Sequence, residues 1–178
     1  GLKVTFGNIK GEVGVFPYEL AGTMEYNNLS VKKGQEHVVG NGSIVTTLKA
    51  TANNQSNQTL EAPSFNATYN FAGKSTRQGL SNYKATVDVN AGATTTSANG
   101  TLTSSAFDSK SIRIETISPF VRKSNQANPY SGQAIISGAA GSKARITVVD
   151  TNSVKIELDA DGNGDYEANT SKPWSELR

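Results

Sequence analysis

The stretch "SFNATYNF", residues 64–71, decides the fold class. Phe65, Ala67, Tyr69 and Phe71 occupy every second position, with Asn66, Thr68 and Asn70 between them. Side chains of a β-strand point alternately to opposite faces, so this spacing gathers four apolar groups on one face and polar groups on the other. The same alternation recurs in "YKATVDV" (83–89), where Tyr83, Ala85, Val87 and Val89 share a face. It recurs in "SIVTTLKA" (43–50), "GTLTSSAF" (100–107), "KSIRIETI" (110–117), "GQAIISG" (132–138), "KARITVVD" (143–150) and "SVKIELD" (153–159). Toward the N-terminus, "LKVTF" (2–6) and "EVGVF" (12–16) carry it too. In "TMEYNNLSV" (23–31) the apolar positions are Met24, Tyr26, Leu29 and Val31, a phase slip at Asn27–Asn28 of the kind a β-bulge produces.

The punctuation between these runs is that of hairpins: Gly34, Asn41–Gly42, Asn53–Asn54, Gly79, Ala91–Gly92, Asn99–Gly100 and Gly141. Asn–Gly pairs suit tight turns because both residues tolerate positive φ. The intervals are too short for crossover helices, so antiparallel pairing is expected. The resulting expectation is an all-β fold: an antiparallel meander of long hairpins forming a curled sheet, a sandwich or a partly open barrel. The polar stretch "TANNQSNQT" (51–59) reads as a long mobile turn. The segment "SPFVRKSNQANPYSG" (118–132), with two prolines, is the best boundary within a single domain of residues 1–178. Residues 132–178 are then either the last hairpins of the same sheet or a small C-terminal hairpin subdomain. The tail "TSKPWSELR" leaves the strand pattern; Pro173 opens a short helical turn, and Trp174 plugs one end of the core.

Composition narrows the function classes. Of 178 residues, 19 are Ser, 18 Thr and 17 Asn, a mix that suits turns and water-facing strand faces. Seventeen basic and fifteen acidic residues give a net charge of +2 with no basic stripe. Arg113, Arg122 and Lys123 form the densest basic cluster, and Glu115 interrupts it, so a nucleic-acid partner is not expected. The absence of Cys excludes disulfides and thiolate chemistry, and no apolar run is long enough for a transmembrane helix.

The one candidate ion site is "DADGNGDYE" (159–167). Asp159, Asp161, Asn163, Asp165 and Glu167 stand at alternating positions around Gly162 and Gly164, and hard oxygen ligands converging in one loop are what calcium needs. The twelfth position of a helix–loop–helix calcium site would be Thr170 rather than Glu, and the loop follows a strand. The competing reading is a hairpin tip, where Asp and Asn accept backbone N–H bonds and the glycines supply unusual φ. "VKIELDADGNGDYEA" is then one hairpin with Tyr166 on the returning strand.

Catalytic constellations are not evident. His37 is the only histidine, and no G-x-S-x-G elbow or phosphate loop occurs. Most acids, including Glu115 and Glu157, sit on strands whose other face is apolar, as solvated-face residues do. Enzymatic activity is therefore not expected.

The C-terminal stretch, residues 128–177, resembles the end of a group of uncharacterised bacterial secreted proteins and lipoproteins. The matching residues are Pro129, Ser131, Gly132, Ile136 and Gly138, then Val154, Ile156, Asp159, Asp161, Gly162, Gly164 and Glu167, and a closing Trp174. The resemblance implies a periplasmic or extracellular location, with anchoring at the outer membrane through a removed N-terminal segment, and it implies no activity. The expectation is a non-enzymatic cell-envelope or secreted β-domain serving as scaffold or surface interaction module, its partner another envelope protein. The alternative is a carrier that binds a lipid or other apolar small molecule in a β-sheet cavity lined by Phe65, Tyr69, Phe71, Tyr83 and Phe107. A glycan partner would require Tyr18, Tyr26, Tyr130 or Trp174 to share one exposed platform.

Overall fold

The computed structural model describes residues 1–177, and 72% of these described residues are strand. Eleven strands form one antiparallel sheet whose spatial order is the chain order. They are β1 (Leu2–Lys10), β2 (Tyr18–Lys33), β3 (Glu36–Ala52), β4 (Gln55–Phe71), β5 (Lys74–Asn90) and β6 (Ala93–Ser104), then β7 (Ser111–Lys123), β8 (Ser131–Ser137), β9 (Lys143–Val148), β10 (Ser153–Asp159) and β11 (Ala168–Pro173). The sheet is not closed into a barrel. Short 3₁₀ turns at Ser105–Phe107, Ala139–Gly141 and Trp174–Leu177 complete the described elements. No helix among the described residues is long and apolar enough to cross a membrane.

The expected all-β meander is what the chain forms, with strands longer than the sequence pattern implies. Two-residue turns join the long ones, and Ala72–Gly73 and Ala91–Gly92 have positive φ at both positions, as type I′ turns require. Asn41–Gly42 and Asn99–Gly100 are not turns. They lie inside β3 and β6, at register shifts where the strands bend. Gly79 likewise lies inside β5. The asparagines serve these bulges with their side chains. Asn41 Oδ1 accepts the backbone N–H of Asn28 at 2.8 Å, and Asn99 Oδ1 accepts that of Thr116 at 3.0 Å. A bulge leaves ladder donors without a backbone partner, and the amide oxygen replaces it. The slip expected at Asn27–Asn28 is present: the β2–β3 register shifts between Tyr26 and Leu29, and Asn28 has φ 46°.

Three further expectations are corrected. "EVGVF" is the connection between β1 and β2 rather than a strand. The polar stretch 51–59 is not a long turn, because β3 runs to Ala52 and β4 starts at Gln55. Its side chains are polar on both faces, but backbone pairing does not depend on them, and Thr47 and Thr59 bond hydroxyl to hydroxyl across the strands. Pro173 ends β11 instead of opening the final turn, which starts at Trp174.

The register sorts the side chains into two faces. One transverse row runs Ile9, Leu20, Leu48, Gln58, Val87, Thr96 and Phe120 across β1 to β7. Its counterpart on the opposite face runs Lys10, Glu19, Lys49, Asn57, Asp88 and Thr95. There, Lys10 Nζ meets Glu19 Oε2 at 2.9 Å, and the Lys84–Glu61 and Lys3–Glu25 pairs close at 2.7 Å. The apolar face holds the core, which is thin: Ala50, Ala62, Ala67, Ala134, Val148 and Val154 are its buried members. Substantial contacts run only between strands adjacent in sequence, apart from the 3₁₀ turns on β5 and β11. The accessible surface is 10947 Å², against about 8,300 Å² for a compact monomer of this mass. The excess is the mark of a sheet with no second layer.

Candidate functional site

With nothing packed over it, the apolar face bends into an open trough of about 720 Å³. Leu20, Leu48, Leu60 and Val87 of β2 to β5 form its floor, and Phe6 and Ile9 of β1 its side. Strands β1 and β5 would stand about 19 Å apart in a flat sheet, so residues of both bounding one hollow require the sheet to curl. Val13, in the β1–β2 connection, reaches the same space. Thr46 and Gln58 are polar side chains among the apolar ones. A second hollow of about 360 Å³ lies further along the same face, around Phe65, Tyr69, Leu80, Leu102 and Phe107. Tyr26 and Phe65 meet edge to face at 5.1 Å beside Gly40.

Of the aromatic residues expected to line a cavity, Phe65, Tyr69 and Phe107 line the second hollow, and neither is enclosed. Phe71 stands exposed next to the β4–β5 turn. Tyr83 lies against Gly100, where an added Cβ would come within 2.5 Å of the tyrosine Cα. The sequence reading missed the trough's main residues, Leu20, Leu48 and Leu60. Their alternation is visible, but their convergence follows from register across three strands.

The acidic loop satisfies itself. Asp159, fully buried, accepts the Gly162 N–H on Oδ1 at 2.7 Å and the Gly164 N–H on Oδ2 at 3.1 Å. Asp161 accepts the Asn163 backbone and side-chain N–H groups, each at 3.1 Å. Asn163 Oδ1 accepts the Asp165 N–H at 2.7 Å, and Glu167 Oε2 that of Ala160 at 3.1 Å. Asp159, Asp161 and Glu167 each bring a carboxylate oxygen within 4.8 Å of the others, which is the geometry a cation would use. Asn163 and Asp165 hold the turn through the bond between them. Gly162 is required because a Cβ there would lie 2.8 Å from the Gly141 carbonyl carbon; the turns around Gly141 and Gly162 meet backbone to backbone.

Tyr166 is not on the returning strand, since β11 starts at Ala168. Its ring lies 4.1 Å from the Arg145 guanidinium carbon. Arg145 Nε donates to Glu157 Oε2 at 2.8 Å, and Lys155 Nζ to Glu157 Oε1 at 2.8 Å. These two cations hold the Glu157 carboxyl down at about 2, and Glu157 in turn raises Arg145. A carboxylate so held is a poor proton donor near neutral pH. Glu115 pairs with Arg113 at 3.6 Å and lies three strands from Glu157, about 14 Å along the sheet. That exceeds the spacing of a glycosidase pair. His37 Nε2 stands 2.8 Å from Ser30 Oγ on the polar face. Tyr18 begins β2 and Tyr26 lies at its middle, eight residues further along, and Tyr130 and Trp174 lie on later segments, so the four form no common platform.

Comparisons of the chain with protein-family models, with curated proteins and with solved structures give no match.

Proposed function

We propose that this chain is a non-enzymatic binding module that takes up an apolar small molecule, such as a lipid chain, in the trough between β1 and β5. The observation that carries the reading is the uncovered apolar face, bent into a hollow of about 720 Å³. Ligand sites typically enclose about 300–1,000 Å³, mostly apolar with a few polar groups to orient the ligand. Gln58 and Thr46 are such groups in a mostly apolar wall. A large exposed apolar patch on one side of a sheet, with ion pairs on the other, is otherwise a liability in water. A secreted or cell-envelope setting accords with the resemblance of residues 128–177, and the acidic loop serves this reading as a structural turn.

The test is a titration with an environment-sensitive apolar dye, followed by competition with a straight-chain fatty acid. Saturable dye uptake is expected, displaced by the fatty acid and lost in Leu48→Lys and Leu60→Lys. Thr86→Lys, on the opposite face, should bind as the parent does. Absent uptake, or equal uptake by all three variants, would refute the assignment.

A further inference from the structure

The second hollow differs in kind from the trough. The register shifts between Gly42 and Val45 on β3, and between Ser81 and Lys84 on β5, run between the two hollows, and each bends the sheet. Beyond that crease, pairing across β4, β5 and β6 sets two rows side by side: Phe65, Leu80 and Leu102, then Ala67, Gln78 and Ser104. Phe65 and Tyr69 stand four residues apart on one face, about 14 Å along the strand. Ala67 between them is small and 6% exposed, so the face dips there. We propose that this dip is a separate binding site, which takes a flat aromatic ring carrying a hydrogen-bond acceptor, such as an aryl ketone.

The walls are rings where the floor of the trough is aliphatic. Phe65, Tyr69 and Phe107 line the hollow, and aromatic faces and edges favour another ring over a flexible chain. Phe107 is set in place by the Ser105–Phe107 turn. Strand β6 ends at Ser104, opposite Gln78, and the next backbone N–H of β5, that of Arg77, is taken by Ser105 Oγ at 2.9 Å. The Lys110 N–H closes the turn onto the Phe107 carbonyl at 2.8 Å. The floor holds a spare donor. Ser104 is 8% exposed, and its Oγ accepts the Ala106 N–H at 3.2 Å. Among the described residues, no acceptor takes the proton of that hydroxyl. Buried donors are ordinarily paired, so this one favours a ligand that accepts. Gln78, beside Ser104 in the row, adds an amide to the same lining. A hollow of about 360 Å³ is at the small end of ligand sites and suits a few fused rings.

Fluorescence titrations with acetylnaphthalene and with its carbonyl-free counterpart, ethylnaphthalene, test this. Both should bind saturably. Ala67→Leu fills the dip and should weaken both about tenfold or more. Phe107→Ala removes one ring at a position 45% exposed, so the sheet stays folded, and should weaken both roughly 2- to 13-fold. Ser104→Ala should lower the affinity for the ketone relative to ethylnaphthalene by roughly 2- to 13-fold. Leu48→Lys, in the trough, should leave uptake of both unchanged, and a straight-chain fatty acid should displace neither. Absent uptake, or uptake indifferent to both Ala67→Leu and Phe107→Ala, overturns the site. A ratio of the two affinities that Ser104→Ala leaves unchanged overturns the need for an acceptor. Uptake lost in Leu48→Lys places the rings in the trough, which refutes this inference and leaves the reading of the trough standing.

Discussion

Arg145 donates to Glu157 at 2.8 Å while resting on the Tyr166 ring, which ties β9, β10 and the approach to β11 together on the polar face. The carboxyl sits at about 2 in the folded chain against an ordinary 4.5. A depressed acid stabilises the fold fully above its unfolded value and loses that contribution as pH falls through the folded one. The melting temperature should therefore fall between pH 4.5 and 2. Glu157→Gln should be less stable than the parent near neutrality, and the gap should close across that window. Glu19 and Asp150 are lowered as well and act with the same sign, so the difference between parent and variant is the quantity to follow.

Asp159 is the most constrained acid. Asp159→Ala strips two backbone donors of their acceptor at a fully buried position. The expected loss is about 2–4 kcal/mol in urea denaturation. Asp159→Asn keeps one accepting oxygen and should lose less.

Calcium should leave the melting temperature where it is. The carboxylates of Asp159, Asp161 and Glu167 already accept backbone donors within the loop. An ion that bound only the folded chain would raise apparent stability. A rise of several degrees in millimolar calcium, abolished by Asp161→Ala, would show that the loop is an ion site after all.

Gly42 should tolerate no side chain. Its φ is 115°, and a Cβ would stand 2.1 Å from the Ser64 carbonyl oxygen. Gly42→Ala should cost about 3 kcal/mol or more. Gly34, also at positive φ but in open space at a turn, should lose only about 1 kcal/mol on the same change. Denaturant titrations of the two variants give the comparison.

The strand pattern was legible because one face is apolar almost throughout: Tyr83, Ala85, Val87 and Val89 could only be a strand facing something oily. The ends of strands were less so. Asn–Gly is the same dipeptide in a turn and in a bulge, and what separates them at Asn41–Gly42 and Asn99–Gly100 is whether the next strand continues beyond, which pairing decides. "EVGVF" alternates like a strand, yet Gly11 and Gly14 at positive φ bend it into a connection. The trough was illegible for a different reason. Alternation says which side chains share a face, but says nothing of whether another layer covers it. The acidic loop was legible as a turn, and its dependence on the backbone of Gly141, twenty-one residues before Gly162, was not.

Each strand's substantial partners are the strands just before and just after it in the chain. The molecule is thus a linear array in which stability passes from one hairpin to the next, as in a stack of repeats. Opening should begin at the two outermost strands and advance inward one hairpin at a time. Amide exchange would then be slowest in the long central strands, β3 to β5, and fastest in β1 and β11, with intermediate protection between.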